Sequence, residues 1–353
     1  MFWNVRDEEN TDLVGIHQKT NQTRYSSPQK TPYVERQPLD IFQKLPLPII
    51  HFNENTLFMQ LLIENLSKTY SNGVQALQNV SLNIPQGMFG LLGPNGAGKS
   101  TLMRTLATLQ DADSGRVLLG DTDVLRDKQA VRKVLGYLPQ EFGVYPRISA
   151  EMMLNHIAQL KGLNHKKERE ETVAALLQKV NLWDARKRNL GTYSGGMKQR
   201  FGIAQALIGN PRLLIVDEPT AGLDPAERTR FYNLLSEVGE NTIIILSTHI
   251  VEDVKTLCRN MAIICGGEVM YTGTPQDAVA RLSGKVWSKA IDKQDVHAYR
   301  AQHHVIATQM SSGRLFIRVV DEQRPEDGFE AAEPGLEDVY FHAISSKVDL
   351  VTL

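Results

Sequence analysis

Apolar positions along this chain recur in two rhythms. Short β-rich runs, continuous or alternating, at Gln60–Asn65, Ala76–Ile84, Met88–Leu92, Arg116–Leu119, Val134–Leu138, Leu213–Val216, Thr242–Ser247 and Met261–Cys265 predict strands. Helix-length amphipathic stretches separate them, and the alternation from Met59 to about Leu282 predicts an α/β domain. One block breaks the pattern. Between Gln140 and about Leu190 there is no β-rich run, and Ser149–Lys161 and Lys166–Val180 have helical spacing, with Ala174, Leu177 and Val180 expected on one face. This predicts a helical insertion into a sheet domain. After Pro275 the register loosens, leaving Arg314–Val320 as a strand candidate and Leu336–Ile344 as a closing helix. Residues 1–58 are rich in Asn, Gln, Thr, Ser and Pro with no sustained period, and proline interrupts their apolar patches. They predict a loosely ordered arm, with Met59 as the natural first residue of the folded domain and an upstream translation start as the explanation of the rest.

Composition narrows the class. With 353 residues, 42% hydrophobic and 22% charged, the chain has material for two to three domains' worth of globular structure at roughly 150 residues each. Lys plus Arg number 39 and Asp plus Glu 40, a net charge of −1, so no large positive field draws in nucleic acid or an anionic membrane. No apolar run approaches the ~18 residues that span a bilayer. The N-terminus, MFWNVRDEEN, is acidic where a secretory signal needs a basic region, and the expected location is cytoplasmic. Cys258 and Cys265 have neither zinc-site nor disulfide-framework spacing and are expected to be buried thiols.

The chemistry concentrates in a few motifs. Gly93-Pro94-Asn95-Gly96-Ala97-Gly98-Lys99-Ser100 follows an apolar run and precedes the helix-like Thr101–Leu109, giving strand, loop and helix. Glycines allow such a loop to turn its N–H groups inward around phosphates, and the helix N-terminus adds donors and a dipole. Lys99 is placed to reach the β- and γ-phosphates, and Ser100 to offer a hydroxyl to Mg²⁺. Leu213–Glu218 is a buried-strand run ending in two carboxylates. Beside a phosphate loop, Asp217 is expected in the Mg²⁺ shell and Glu218 is free to polarise a water. Alone, Glu218 also reads as a solvated loop acid.

These motifs and five others in one order resemble the ATP-binding subunit of an ABC transporter. Thr192-Tyr193-Ser194-Gly195-Gly196-Met197 is similar to the family's signature, with Tyr193 and Met197 replacing its commonest Leu and Gln, and Ser194 lies 23 residues before Asp217. Physically, a Ser and two Gly opening the helix Met197–Ile208 can present donors to an anion or simply cap a helix. Gln140 resembles the Q-loop residue that touches Mg²⁺ and the attacking water; otherwise it is a turn glutamine. Ala221-Gly222-Leu223-Asp224 resembles the D-loop that crosses to the partner subunit, while Asp224-Pro225 also reads as a helix start. His249 resembles the switch histidine that contacts the γ-phosphate and orients Glu218. Tyr70 resembles the aromatic that stacks on adenine, and Thr101 completes the nucleotide-contacting loop.

The resemblance implies a P-loop NTPase, RecA-like core sheet with an antiparallel β subdomain. It also implies an inserted helical subdomain at about 141–195 within an ATP-binding domain over 59–282, and a small α+β extension over 283–353. It further implies ATP and Mg²⁺ as cofactors, a separate integral-membrane permease as partner, and a location on the inner face of the membrane through that permease. Since the chain has one phosphate loop and one signature, it implies a second ATP-binding subunit, identical or closely paralogous, with ATP sandwiched between the two. The apolar stretch Phe142, Val144, Tyr145 and Ile148 is either the face that receives the permease or ordinary core of the insertion. The tail Pro334–Tyr340 resembles that of exporter ATPases. A soluble ABC ATPase acting on DNA or ribosomes is the alternative, but a second cassette, a long coiled-coil insertion and zinc cysteines are all missing from the sequence. An inactive regulator is disfavoured by the intact Lys99, Asp217, Glu218 and His249. Removing residues 1–58 should leave folding and ATP turnover unchanged, since no motif lies there; an insoluble or inactive truncated chain contradicts this.

Overall fold

The computed structural model describes residues 59–345 and 347, apart from 141, 221 and 222, so the expected arm over 1–58 lies outside the described residues. From the N-terminal side the elements are β1 (Gln60–Thr69), β2 (Gln75–Pro85), β3 (Gly87–Leu92), α1 (Lys99–Leu106), β4 (Ser114–Leu119), β5 (Thr122–Asp123), α2 (Lys128–Val134) and β6 (Leu135–Leu138). The helical part follows, with α3 (Ala150–Leu160), α4 (Lys166–Lys179) and α5 (Gly195–Leu207). The chain then returns to β7 (Leu213–Asp217), α6 (Pro225–Val238), β8 (Ile243–Thr248), α7 (Val251–Leu257), β9 (Asn260–Cys265), β10 (Glu268–Gly273) and α8 (Pro275–Ala280). It closes with β11 (Val286–Ile291), α9 (Val296–Gln302), β12 (Val305–Ser311), β13 (Arg314–Val320), β14 (Glu330–Ala331) and α10 (Leu336–Ile344).

The central sheet has the order β10-β9-β3-β8-β7-β6, parallel except for β10. Its inner strands are unbroken apolar runs because both faces are covered: every residue of β7 and of β8 is buried. Parallel order brings the C-terminal ends of β3, β6, β7 and β8 to one edge, the position where ligands bind in open α/β sheets. An antiparallel sheet, β2-β1-β4-β5, packs its apolar face with α1 and one side of the central sheet in a single core. The turn between β9 and β10, Gly266-Gly267, joins the two sheets: Gly267 O accepts from Gln78 N at 2.8 Å, and Gly267 N donates to Ala97 O at 3.0 Å. That turn therefore braces the loop after β3.

On the other side of the central sheet, the helical part shares its core with α6 and α7. The buried residues of α4 are Val173 and Leu177, with Val180 at its cap, while Ala174 is only half-buried. Leu177 and Val180 of the expected face are thus buried, and Val173 takes the place of Ala174. Phe142 and Val144 pack against this core, whereas Tyr145 is 63% exposed. The stretch thus divides between core and surface.

Past Pro275 the chain is more regular than its pattern predicts. It forms a third sheet, β12-β13-β11-β14, all antiparallel. The strand expected at Val134–Leu138 begins one residue later, since Val134 ends α2. Cys258 and Cys265 are buried free thiols.

The final helix, α10, buries Leu336, Val339, Tyr340 and Ile344 in the same core as Met261, Ile263 and Cys265 of β9. Arg318 of β13 fixes its start: Nε donates to Asp338 Oδ1 at 2.6 Å and Nη2 to Asp338 Oδ2 at 2.8 Å, while Gly335 N donates to the same Oδ2 at 2.7 Å. Asp338→Ala should destabilise the protein by about 2 kcal/mol, because a partly buried guanidinium and a helix N–H lose their acceptor together. Urea unfolding measures this, and a change below about 0.5 kcal/mol contradicts the assignment.

Candidate functional site

The loop after β3 is curled around its own lysine. Gly98, the residue before α1, has φ +106°, and a Cβ there would lie 2.4 Å from Ala76 O, so both conformation and space require glycine. Lys99 Nζ donates to Gly93 O at 2.7 Å and to Pro94 O at 3.1 Å and is almost fully buried. Burial pushes the pKa of this ammonium down, against the pull of Glu218 and Asp217. Asn95, Gly96 and Ser100 are exposed at the mouth of the loop, while Ala97 and Thr101 are buried. Tyr70 OH lies 3.1 Å from Thr101 Oγ1 and donates to Gln110 Oε1 at 3.2 Å, so the tyrosine is tied to α1 through its hydroxyl.

Glu218 is the meeting point of four segments. It follows β7 with φ +47°, a left-handed conformation that costs a non-glycine residue about 1 kcal/mol. Its N–H donates to Ser247 O at 2.8 Å, which fixes the turn against β8. The carboxylate is nearly buried. Its Oε1 is 3.2 Å from His249 Nδ1 and 3.8 Å from Lys99 Nζ, and its Oε2 accepts from Gln140 Nε2 at 3.0 Å. Asp217 beside it is 4% exposed, and among the described residues its Oδ1 has no hydrogen-bond partner; burial pushes its pKa up.

The remaining expected residues hydrogen-bond elsewhere. Ser194 caps α5, accepting from Met197 N at 3.2 Å, and Asp224 caps α6, accepting from Glu227 N at 2.8 Å with Pro225 next. Among the described residues neither hydrogen-bonds to the Glu218 cluster, and Ala221 and Gly222 lie outside the described residues. Gly195 is exposed. Gly196 is hemmed in: a Cβ there would lie 2.9 Å from Glu227 Oε2. Glu227 pairs with Arg200 Nε at 3.1 Å, and Gln199 Nε2 donates to Pro219 O at 2.7 Å, tying α5 to the chain just past Glu218.

Three groups escape the sequence reading. The Gly266-Gly267 turn that braces the loop after β3 carries a hairpin signal, two glycines between apolar runs. The Arg200–Glu227 pair carries none, because its members are separated along the chain and joined only by packing. Asp253, fully buried in α7, likewise resembles any acid in a first helical turn.

Residues 77–221 match the sequence profile of the ABC transporter family. The chain is 35% identical over 235 residues to the uncharacterized ABC transporter ATP-binding protein YxlF of Bacillus subtilis, spanning 66% of this chain and 77% of that protein. The chain belongs to the ABC transporter family. It is also 36% identical over 262 residues to the daunorubicin/doxorubicin resistance ATP-binding protein DrrA of Streptomyces peucetius, spanning 74% of this chain and 77% of that protein. Among solved structures it is similar to the ATP-binding cassette MJ0796, a dimer in a post-hydrolysis state bound to ADP and Pi, with TM-score 0.55, 25% identity, and 61% of this chain against 98% of that one. This cassette binds ATP and is an ATPase. Gly98→Ala should lower its stability by about 2 kcal/mol, from the positive φ and the clash with Ala76, and should weaken ATP binding more than tenfold as the loop shifts. Thermal unfolding and nucleotide titration read both effects, and wild-type values in both contradict the loop geometry.

Proposed function

We propose that the chain powers transport by a separate membrane-spanning permease, and that it does so as one of two ATP-binding subunits enclosing ATP between them. The observation that carries the site assignment is the convergence of Lys99, Gln140 and His249 on the carboxylate of Glu218. On this reading Lys99 leaves the Gly93 and Pro94 carbonyls for the β- and γ-phosphates, while Asn95, Gly96, Ala97, Gly98 and Thr101 wrap them with backbone donors. Glu218 accepts a hydrogen bond from the attacking water, and His249 holds both that carboxylate and the γ-phosphate. Tyr70 lies at the edge of α1 where adenine would stack, and its hydroxyl bonds fix the ring.

The donor set fits Mg²⁺. Ser100, Gln140 and Asp217 are all oxygen donors, and the buried Asp217 Oδ1 without a partner is the kind of atom a cation satisfies. Bound there, the ion would neutralise phosphate charge.

Pairing is supported by the exposed Ser194 and Gly195 and the half-buried Gly196, none of which hydrogen-bonds to the Glu218 cluster among the described residues. One chain carries two half-sites, and a second copy or close paralogue supplies the complement, with Asp224 near the crossing. MJ0796, whose solved structure is a dimer, supports the same arrangement. For the permease, no helix among the described residues is long and apolar enough to cross a membrane. Tyr145 and Met152, 63% and 66% exposed, offer apolar contact beside the packed Phe142 and Val144. The subunit would then sit at the inner face of the membrane through that contact. The resistance role in the name of DrrA and the tail at Pro334–Tyr340 favour export.

Glu218→Gln should still bind Mg-ATP, fail to hydrolyse it, and shift from monomer to dimer with ATP on a sizing column. Adding Ser194→Arg should abolish the shift by filling the γ-phosphate pocket. A dimer equally abundant without nucleotide, or one indifferent to Ser194→Arg, contradicts the sandwich. His249→Ala should lower kcat at least tenfold with little change in KM; an unchanged kcat removes His249 from the site.

A further inference from the structure

Asp253 is completely buried, and among the described residues no cation pairs with it. Three hydroxyls from three segments serve its carboxylate instead. Thr220, two residues past Glu218, donates to Oδ2 at 2.6 Å. Thr248, the residue before His249, donates to the same oxygen at 3.1 Å. Tyr232 of α6 donates to Oδ1. Thr248 Oγ1 in turn accepts from Ile250 N at 2.9 Å, so the backbone on both sides of His249 is fastened to one hydroxyl. The opposite fastening is backbone to backbone, through the bond from Glu218 N to Ser247 O.

The two segments that bear Glu218 and His249 are thus stitched twice, once at Ser247 and once through Asp253. A buried carboxylate is costly unless its oxygens are satisfied, and hydroxyls that rotate freely elsewhere are committed here to a single acceptor. Among the described residues neither the Thr220 nor the Thr248 hydroxyl hydrogen-bonds to the Glu218 or His249 side chain, so the cluster acts on the reacting groups by fixing the chain that carries them.

We infer that Asp253 is a positioning residue for hydrolysis, a buried carboxylate that locks the Glu218 turn to the His249 turn through Thr220 and Thr248. The inference rests on the assignment of Glu218 and His249 proposed above. An amide at 253 keeps the volume but brings an N–H₂ where only donors converge, so at least one hydroxyl must turn away. Loosening of that kind misplaces reacting groups by fractions of an ångström, and the loss should appear in the chemical step rather than in nucleotide binding.

The test uses the full chain. Asp253→Asn should lower kcat about tenfold while KM for ATP and the affinity for ADP stay within about twofold. Combined with His249→Ala, it should cost little beyond His249→Ala alone, because both act on the same pair. Thr248→Val should reproduce the kcat loss and Thr248→Ser should restore the rate; these two decide the matter by themselves if Asp253→Asn does not fold. A kcat within twofold of wild type in both Asp253→Asn and Thr248→Val, or losses that multiply in full with that of His249→Ala, overturns the inference. A His249→Ala chain that keeps its turnover overturns the underlying site assignment instead, which separates the two failures.

Discussion

The site depends on one carboxylate held where it would not sit unaided. Glu218 takes a left-handed backbone conformation and turns a nearly buried anion toward an ammonium, an amide and an imidazole. An uncompensated anion at that depth carries a desolvation penalty. The three partners make it tolerable, and each arrives from a different strand end. The strain at Glu218 is offset by the bond to Ser247 O, and that bond exists only because β7 and β8 are neighbours in register. A shift of either strand would remove the conformation and the site together.

The sheet order makes this possible. β8 lies between β3 and β7, so the glycine-rich loop, the Glu218 turn and the His249 turn leave three consecutive strands, and Gln140 follows β6 one place further out. The strands are buried on both faces and rigid, while the loops they launch are short and cross-braced by the Gly266-Gly267 turn, by Gln199 on Pro219, and by the Asp253 hydroxyl cluster. On the proposed reading, binding energy from nucleotide goes into moving Lys99 off its own carbonyls rather than into ordering a loop.

Much of this was legible in the sequence, for physical reasons that differ by element. β7 and β8 were plain because a strand covered on both sides must be apolar along most of its length, here up to the polar C-terminal ends at Asp217 and Ser247. The phosphate loop was plain because its backbone geometry restricts residue choice, and the caps at Ser194 and Asp224 because an orphan helix N–H selects a short polar side chain. What escaped was set by packing. β10, a half-exposed edge strand, carries little hydrophobic signal, and β11, β12 and β14 are short or shared between core and surface. α1 was expected two residues late, since nothing apolar marks Lys99, and it stops at Leu106, short of the left-handed Thr108. Asp253 is a buried acid whose partners come from three separate segments, and no local pattern announces such a contact.

A crystal structure of the full chain with Mg²⁺ and a non-hydrolysable ATP analogue tests the central claim most directly. The account predicts that Lys99 Nζ leaves Gly93 O and Pro94 O for phosphate oxygens, while Glu218 keeps its left-handed backbone and stays within one water of the γ-phosphorus. A γ-phosphate seated away from Glu218, or a Glu218 that relaxes to a right-handed conformation and faces solvent, would contradict it.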